Sequence, residues 1–187
     1  FYDGESFLMT TTTTQALPLS GITVIDCGQV IAGPTIAMIL GDFGATVIKI
    51  EDPKAGDPMR QWGRSLPKGH SPWWPVIGRN KKSVGLNLRT PEGQALAKTL
   101  IGKADVVIEN YRADVKFRLG IDYESLKKVN PRIIYGSIAG FGQSGPDAAR
   151  PGVDQIAPEI GSKNRSRNAR PKPICVTISP RVISLSA

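Results

Sequence analysis

With 187 residues and 40% hydrophobic content, the chain can bury one core of ordinary size, and a single globular body is expected. The net charge of +8 would suit a nucleic-acid partner, but Lys163, Arg165, Arg167, Arg170, Lys172 and Arg181 crowd the end of the chain with no acid among them. That leaves 18 of the 24 bases to face 16 acids in residues 1–162. The basic character therefore belongs to a tail and argues against a nucleic-acid face, and no apolar run approaches the roughly 20 residues that cross a bilayer.

Residues 1–17 read as a leader outside the fold. Met9, followed by five threonines, has the look of a natural start, and the residues before it are set aside. No Lys or Arg precedes Lys49, unlike the basic starts of secretory and mitochondrial signals, so a cytoplasmic setting is expected. Cys27 and Cys175 offer neither metal-ligand spacing nor a disulfide framework, which fits a reducing compartment.

Ile22 to Asp26 is a β-branched run and reads as a strand. Gly33-Pro34 then opens a helix, since proline is favoured in a first turn, and Ile36, Ile39, Leu40 and Phe43 recur at helical spacing as its buried stripe. Gly44 is the stop and Thr46 to Ile50 the next strand, which together make a right-handed parallel unit. A long segment rich in Gly, Pro and Trp spans Asp52 to Arg79, and loops of that length usually cover something. His70, the single histidine, falls in it and has no second ligand or triad partner, so it reads as a surface residue. Further on come a strand over Ser83–Asn87, a helix capped by Thr90 with Pro91 in its first turn, a strand over Asp105–Glu109, a helix over Tyr123–Val129 and a strand over Arg132–Ile138. Strands alternating with helices predict an α/β fold, a doubly wound, mostly parallel Rossmann-like sheet.

Ligands of such sheets bind beyond the carboxyl ends of the strands. Here those loops are Gln29–Ala32, Glu51-Asp52, Leu86–Arg89, Asn110–Arg112 and Ala139–Gly142, with Arg89, Arg112 and Arg118 as guanidinium forks suited to phosphate. Taken alone, three arginines near strand ends can equally be solvated surface. Gly140-Phe-Gly-Gln-Ser-Gly145 spells the dinucleotide fingerprint, but Pro146-Asp147 follows it where a helix should open, and no acid-ended strand lies downstream. An NAD site is not expected there.

The run from Gly33 to Glu51, together with Arg79-Asn-Lys-Lys-Ser83, Thr90-Pro-Glu-Gly93, Val107-Ile-Glu-Asn110, Asn130-Pro-Arg132, Gly140–Pro146 and Arg150-Pro-Gly-Val-Asp154, resembles the N-terminal part of the family III (CaiB/BaiF) CoA-transferases. The resemblance starts near Pro18 and ends at Ser162, before the segment holding that family's catalytic aspartate. It implies a CoA-transferase N-terminal domain over residues 18–162 that handles coenzyme A or acyl-CoA as substrate, with no tightly bound cofactor. It also implies a small carboxylic acid as second partner and a homodimer among full-length members. CoA contacts carry over to Ile31, Ala32, Asp52, Leu86, Asn87, Leu88, Arg89, Asn110, Tyr111, Arg112 and Arg118, and Gly140–Gly145 becomes a loop over the acyl-CoA.

Two positions bear on the branch. The formyl-CoA transferases have a base where this chain has Asp52, which would weaken or reposition the adenine-ribose end of the ligand. The racemase branch has a histidine where this chain has Val153, so the transferase branch is favoured, and within it the succinyl-CoA-dependent members.

That mechanism uses an aspartate as nucleophile, through a mixed anhydride and an aspartyl-CoA thioester. No aspartate follows Asp154, and Glu159 is the last acid. No catalytic residue is therefore assigned, and the chain is expected to be inactive by itself, a non-catalytic CoA-binding fragment being the alternative. Residues 163–187 read as an unrelated basic tail, disordered in character up to Pro173.

Overall fold

β-Branched residues with alternating faces dictate the strands, and the computed structural model sets them side by side in one sheet. It describes residues 16–63 and 71–140 and the backbone of 175–178. In chain order the elements are β1 (Thr23–Asp26), α1 (Ala32–Asp42), β2 (Thr46–Glu51), a 3-10 turn (Pro58–Gln61), α2 (Trp74–Ile77), β3 (Lys81–Gly85), α3 (Pro91–Ile101), β4 (Val106–Glu109), α4 (Ala113–Arg118), α5 (Tyr123–Val129), β5 (Ile134–Ala139) and β6 (Cys175–Ile178). The spatial order is β3-β2-β1-β4-β5-β6. The first five strands are parallel, with Val24 opposite both Val47 and Val106, and Val106 opposite Ile134.

Successive residues of a strand point to opposite faces, so each strand supplies two cores. Ile25, Ile50, Val107 and Tyr135 face Ala97 and Ile101 of α3 and Leu126 of α5, whereas Val24, Val47, Ile108 and Ile138 face Ala37 of α1. Helices on both faces make the sheet doubly wound, as the alternation predicts.

The Thr90 hydroxyl caps α3 by accepting from Gly93 N–H, with Pro91 in the first turn, and Gly44 follows α1 at φ +101°. The stripe of α1 differs from expectation. Ile36 and Leu40 pack on the core, but Ile39 and Phe43 are 44% and 51% exposed. The helix lies against the sheet on Gly33, Ala37 and Gly41, four residues apart. A Cβ on Gly33 would stand 2.9 Å from the Gly28 Cα, and one on Gly41 would stand 3.3 Å from the Val47 side chain. Close approach on the small residues turns Ile39 and Phe43 outward.

β3 also begins two residues earlier than the sequence suggests, pairing Lys81 with Val47. As the outer neighbour of β2 it needs little apolar content, and ending at Gly85 it releases Leu86–Arg89 into the loop that follows. Within the tail the described residues Cys175–Ile178 pair antiparallel with β5, Gly136 opposite Ile178. Residues 1–15 of the leader, His70, Phe141–Pro146, Val153, Asp154, Glu159 and the rest of the tail lie outside the described residues.

Candidate functional site

The carboxyl ends of β1, β2, β3 and β4 converge on one edge of the sheet, and four loops leave it there. Between them lies a cavity of about 670 Å3, lined by Gln29, Ile50, Glu51, Asp52, Leu86, Asn87, Leu88, Arg89, Tyr111, Val115, Arg118 and Leu119. A volume of that size suits a nucleotide-class ligand.

Buried charges hold these loops in place. Asp26, fully buried at the end of β1, accepts from Gly28 N–H with one oxygen and from Lys81 Nζ (2.8 Å) with the other. Lys49 donates to the Gly28 carbonyl and pairs with Asp57 at 3.0 Å, while Asp57 accepts from Val30 N–H (3.2 Å) and Met59 N–H (2.9 Å). Val30 needs that support, because it has φ +65°, a left-handed conformation that a β-branched residue rarely adopts. Burial lowers the pKa of Lys81, with the carboxylate of Asp26 acting against the shift.

On the β2 wall Glu51 is clamped. Its Oε2 accepts from Arg60 Nε (2.7 Å) and Asp57 N–H (2.8 Å), and its Oε1 from Arg60 Nη2 (2.8 Å) and Ser83 Oγ (2.7 Å). Burial acts to raise its pKa, but these donors outweigh it and bring the carboxyl to about 2. The Arg60 guanidinium also stacks 3.8 Å from the Trp74 ring centre, tying the long β2–β3 segment to the site. Asp52, next along the chain, is exposed, and its Oδ1 caps a turn by accepting from Lys54 and Ala55 N–H, each at 2.9 Å.

On the β4 wall Asn110 and Gln29 exchange hydrogen bonds: Asn110 Oδ1 accepts from Gln29 N–H (2.7 Å), and Asn110 Nδ2 donates to the Gln29 carbonyl (2.9 Å). Gln29 Nε2 donates to the Tyr111 hydroxyl at 3.1 Å. Tyr111 N–H donates to Glu109 Oε2 (2.7 Å), and Glu109, fully buried, gathers Lys116, Tyr135 and Ser137 on Oε1. Burial pushes the Tyr111 phenol well above its ordinary value, so it acts as a neutral hydroxyl. Cys27, under the same floor, is pushed up to about 12 by burial, which excludes it as a thiolate nucleophile.

Of the eleven positions picked from sequence, Asp52, Leu86, Asn87, Leu88, Arg89, Tyr111 and Arg118 line the cavity. Ile31, Ala32, Asn110 and Arg112 do not. Asn110 is spent on Gln29, and Arg112 points to Asp114 at 3.3 Å. Arg118 also reaches Asp114, at 3.5 Å, but its side chain is 73% exposed. Gln29 and Glu51, members of the strand-end loops though not picked as contacts, also line the cavity, as do Ile50, Val115 and Leu119, which were not singled out. Val115 and Arg118 of α4 and Leu119 at its C-cap stand at i, i+3 and i+4, a spacing that places them on one side of the helix. Among the described residues no three His, Cys, Asp or Glu side chains form a metal-binding group, and no helix is long and apolar enough to cross a membrane.

A two-walled cavity at the strand ends of a 3-2-1-4-5 parallel sheet fits many nucleotide-handling proteins, and sequence comparison decides among them. The sequence model of CoA-transferase family III matches residues 19–164. The chain belongs to this family. It is 46% identical over 144 residues to a succinyl-CoA–D-citramalate CoA-transferase of Chloroflexus aurantiacus, covering 77% of this chain and 36% of that one. A succinate–glutarate CoA-transferase of Agrobacterium fabrum is 46% identical over 145 residues, covering 74% and 36%. Among solved structures, a CaiB/BaiF family protein from Brucella suis superposes with TM-score 0.73 at 38% identity, covering 86% of this chain and 44% of that chain. The family III chain thus spans little more than a third of the length of these curated relatives.

Proposed function

We propose that the chain is the CoA-binding N-terminal part of an enzyme that moves CoA from an acyl-CoA donor, succinyl-CoA first among them, to a small carboxylic acid. The observation that carries this reading is the cavity itself. Its arginines, Arg89 and Arg118, stand on an exposed loop and a helix end with guanidinium capacity for phosphate, and apolar Ile50, Leu88 and Leu119 line it as well, the first two buried. The activities of the two relatives named above, CoA transfers between succinyl-CoA or succinate and a second acid, support the reaction class.

Family III transfer needs a free carboxylate nucleophile. Among the described residues, the acids that line the cavity are Glu51, clamped by four donors, and Asp52, whose Oδ1 is committed to a turn. Neither is placed to attack a thioester, so the 187-residue chain binds CoA and transfers nothing, while the longer enzyme works as a homodimer in a cytoplasmic setting. Calorimetry with CoA tests the binding. Arg118→Ala is expected to weaken it about tenfold and Arg112→Ala to leave it within twofold, since a charge-assisted hydrogen bond contributes about 1.5–3 kcal/mol. Equal affinity in both variants and the parent would remove Arg118 from the phosphate site, and turnover of succinyl-CoA by the parent chain would overturn the inactive reading.

A further inference from the structure

A buried ion pair ties α4 to the sheet. Among the described side chains of this six-residue helix only that of Lys116 is buried, whereas Phe117, its largest apolar residue, is 59% exposed. The helix itself is therefore held by a charge rather than by an apolar stripe. Lys116 Nζ stands 3.5 Å from Glu109 Oε1 at the end of β4 and donates to Ser137 Oγ in β5 at 3.2 Å, and the two charged side chains are 7% and 0% exposed. The same Glu109 Oε1 accepts from the Ser137 and Tyr135 hydroxyls, and its Oε2 accepts from Tyr111 N–H.

Neither member of the pair lines the cavity, but its neighbours do. Val115 adjoins Lys116, Arg118 follows two residues on, and Leu119 at the C-cap lines the cavity while packing on the core. A second tie to this helix, from Gln94 Nε2 to the Arg118 carbonyl at 3.2 Å, is exposed. A buried ammonium is costly away from its carboxylate, so the pair leaves Nζ one seat and, through the lysine stem, leaves the helix one position. The exposed pair of Arg118 with Asp114, 3.5 Å apart, imposes no such limit.

Resting on the reading of this cavity as a CoA site, we propose that Lys116 is a positioning residue that, seated on Glu109, holds α4 where Arg118 meets a phosphate of the ligand. The test is a double-mutant cycle read by calorimetry with CoA on the 187-residue chain, using Lys116→Met, Arg118→Ala and the two together. Lys116→Met removes the ammonium and leaves the hydroxyls and the Tyr111 N–H on Glu109. It is expected to weaken CoA about fivefold in the parent and to change it by less than about twofold once Arg118 is alanine. A general loosening of the cavity would instead weaken CoA equally in both backgrounds. Should Lys116→Met fail to fold, Lys116→Met with Glu109→Gln, which buries no charge, takes its place in the cycle with the same expectation. Unchanged affinity in the Lys116 variant, or the same loss with and without Arg118, overturns the role of Lys116 alone. If Arg118→Ala by itself leaves CoA binding unchanged, the phosphate role of Arg118 falls and this proposal with it. If CoA does not bind to a parent chain that is folded by circular dichroism, the CoA reading falls first.

Discussion

Asn110 and Gln29, 81 residues apart in sequence, exchange two hydrogen bonds across the junction of β1 and β4. That junction is where the strand order reverses and where open α/β sheets ordinarily take their ligand. The amide pair bridges it, the Asn110 side chain lies against Gly33, and the cavity opens beside it, toward β2, β3 and α4. Asn110→Ala strands a donor and an acceptor of Gln29 together, for an expected loss of about 1–3 kcal/mol. Asn110→Asp keeps the acceptor and loses the donor, and should fall between. Urea midpoints at constant slope measure both, and an unchanged midpoint for Asn110→Ala would show that the bridge is not structural.

The Glu51 clamp predicts an acid-sensitive step. Its carboxyl sits at about 2 in the folded chain against an ordinary 4.5, so the folded pKa is depressed. Stability from this group is therefore complete above about pH 4.5 and is lost as the pH falls toward 2. The loss should be on the order of 2 kcal/mol, after allowance for the partly exposed Arg60. Glu51→Gln should be less stable at pH 7 and flatter over that interval. Urea unfolding of both proteins between pH 5 and pH 2 supplies the comparison, and parallel curves would place the acid sensitivity elsewhere.

Two glycine substitutions separate close packing from mere smallness. A Cβ at Gly33 would meet backbone, the Gly28 Cα at 2.9 Å, which side-chain rotation cannot relieve. Gly33→Ala should cost about 1–3 kcal/mol. At Gly136 in β5 the nearest atom to an added Cβ is 3.7 Å away, an ordinary contact, and Gly136→Ala should be neutral or stabilising by about 0.5 kcal/mol through the unfolded chain. Thermal unfolding of the pair tests the approach of α1 to the loop that leaves β1, and similar midpoints would contradict it.

Pairing of Cys175–Ile178 with β5 changes the expectation for the tail. A tail foreign to the fold could be removed at a change of a few tenths of a kcal/mol. With β6 at the edge of the sheet, deletion of residues 163–187 should cost about 1 kcal/mol and leave β5 as an open edge prone to pairing with other chains. Urea midpoints and light scattering of the shortened chain decide the matter, and an unchanged midpoint without association would show that β6 adds nothing.

Local physics carried most of the architecture. The strand at Ile22–Asp26, the proline-opened helix, the glycine stop and the Thr90 cap were legible because each depends on residues within a few positions of one another. The strand-end loops followed from the alternation, and of the eleven positions that the family resemblance marked, ten of them in those loops, seven line one cavity. The motifs from Gly33 to Asp154 were enough to place the chain in its family.

The rest depended on residues distant in sequence. Nothing local tells Ile39 that Ala37 and Gly41 will hold the helix against the sheet, or tells Asn110 that its amide will be spent on Gln29. The clamp of Glu51 by Arg60, Ser83 and Asp57 joins three segments, and the left-handed Val30 is held by an aspartate 27 residues on. A charge is neutralised, or left free to meet a ligand, only by what packs beside it. Sequence therefore determined the elements, the parallel sheet and the family, whereas the tertiary structure decided which strand-end side chains, Asp52 and Arg118 among them, face the cavity.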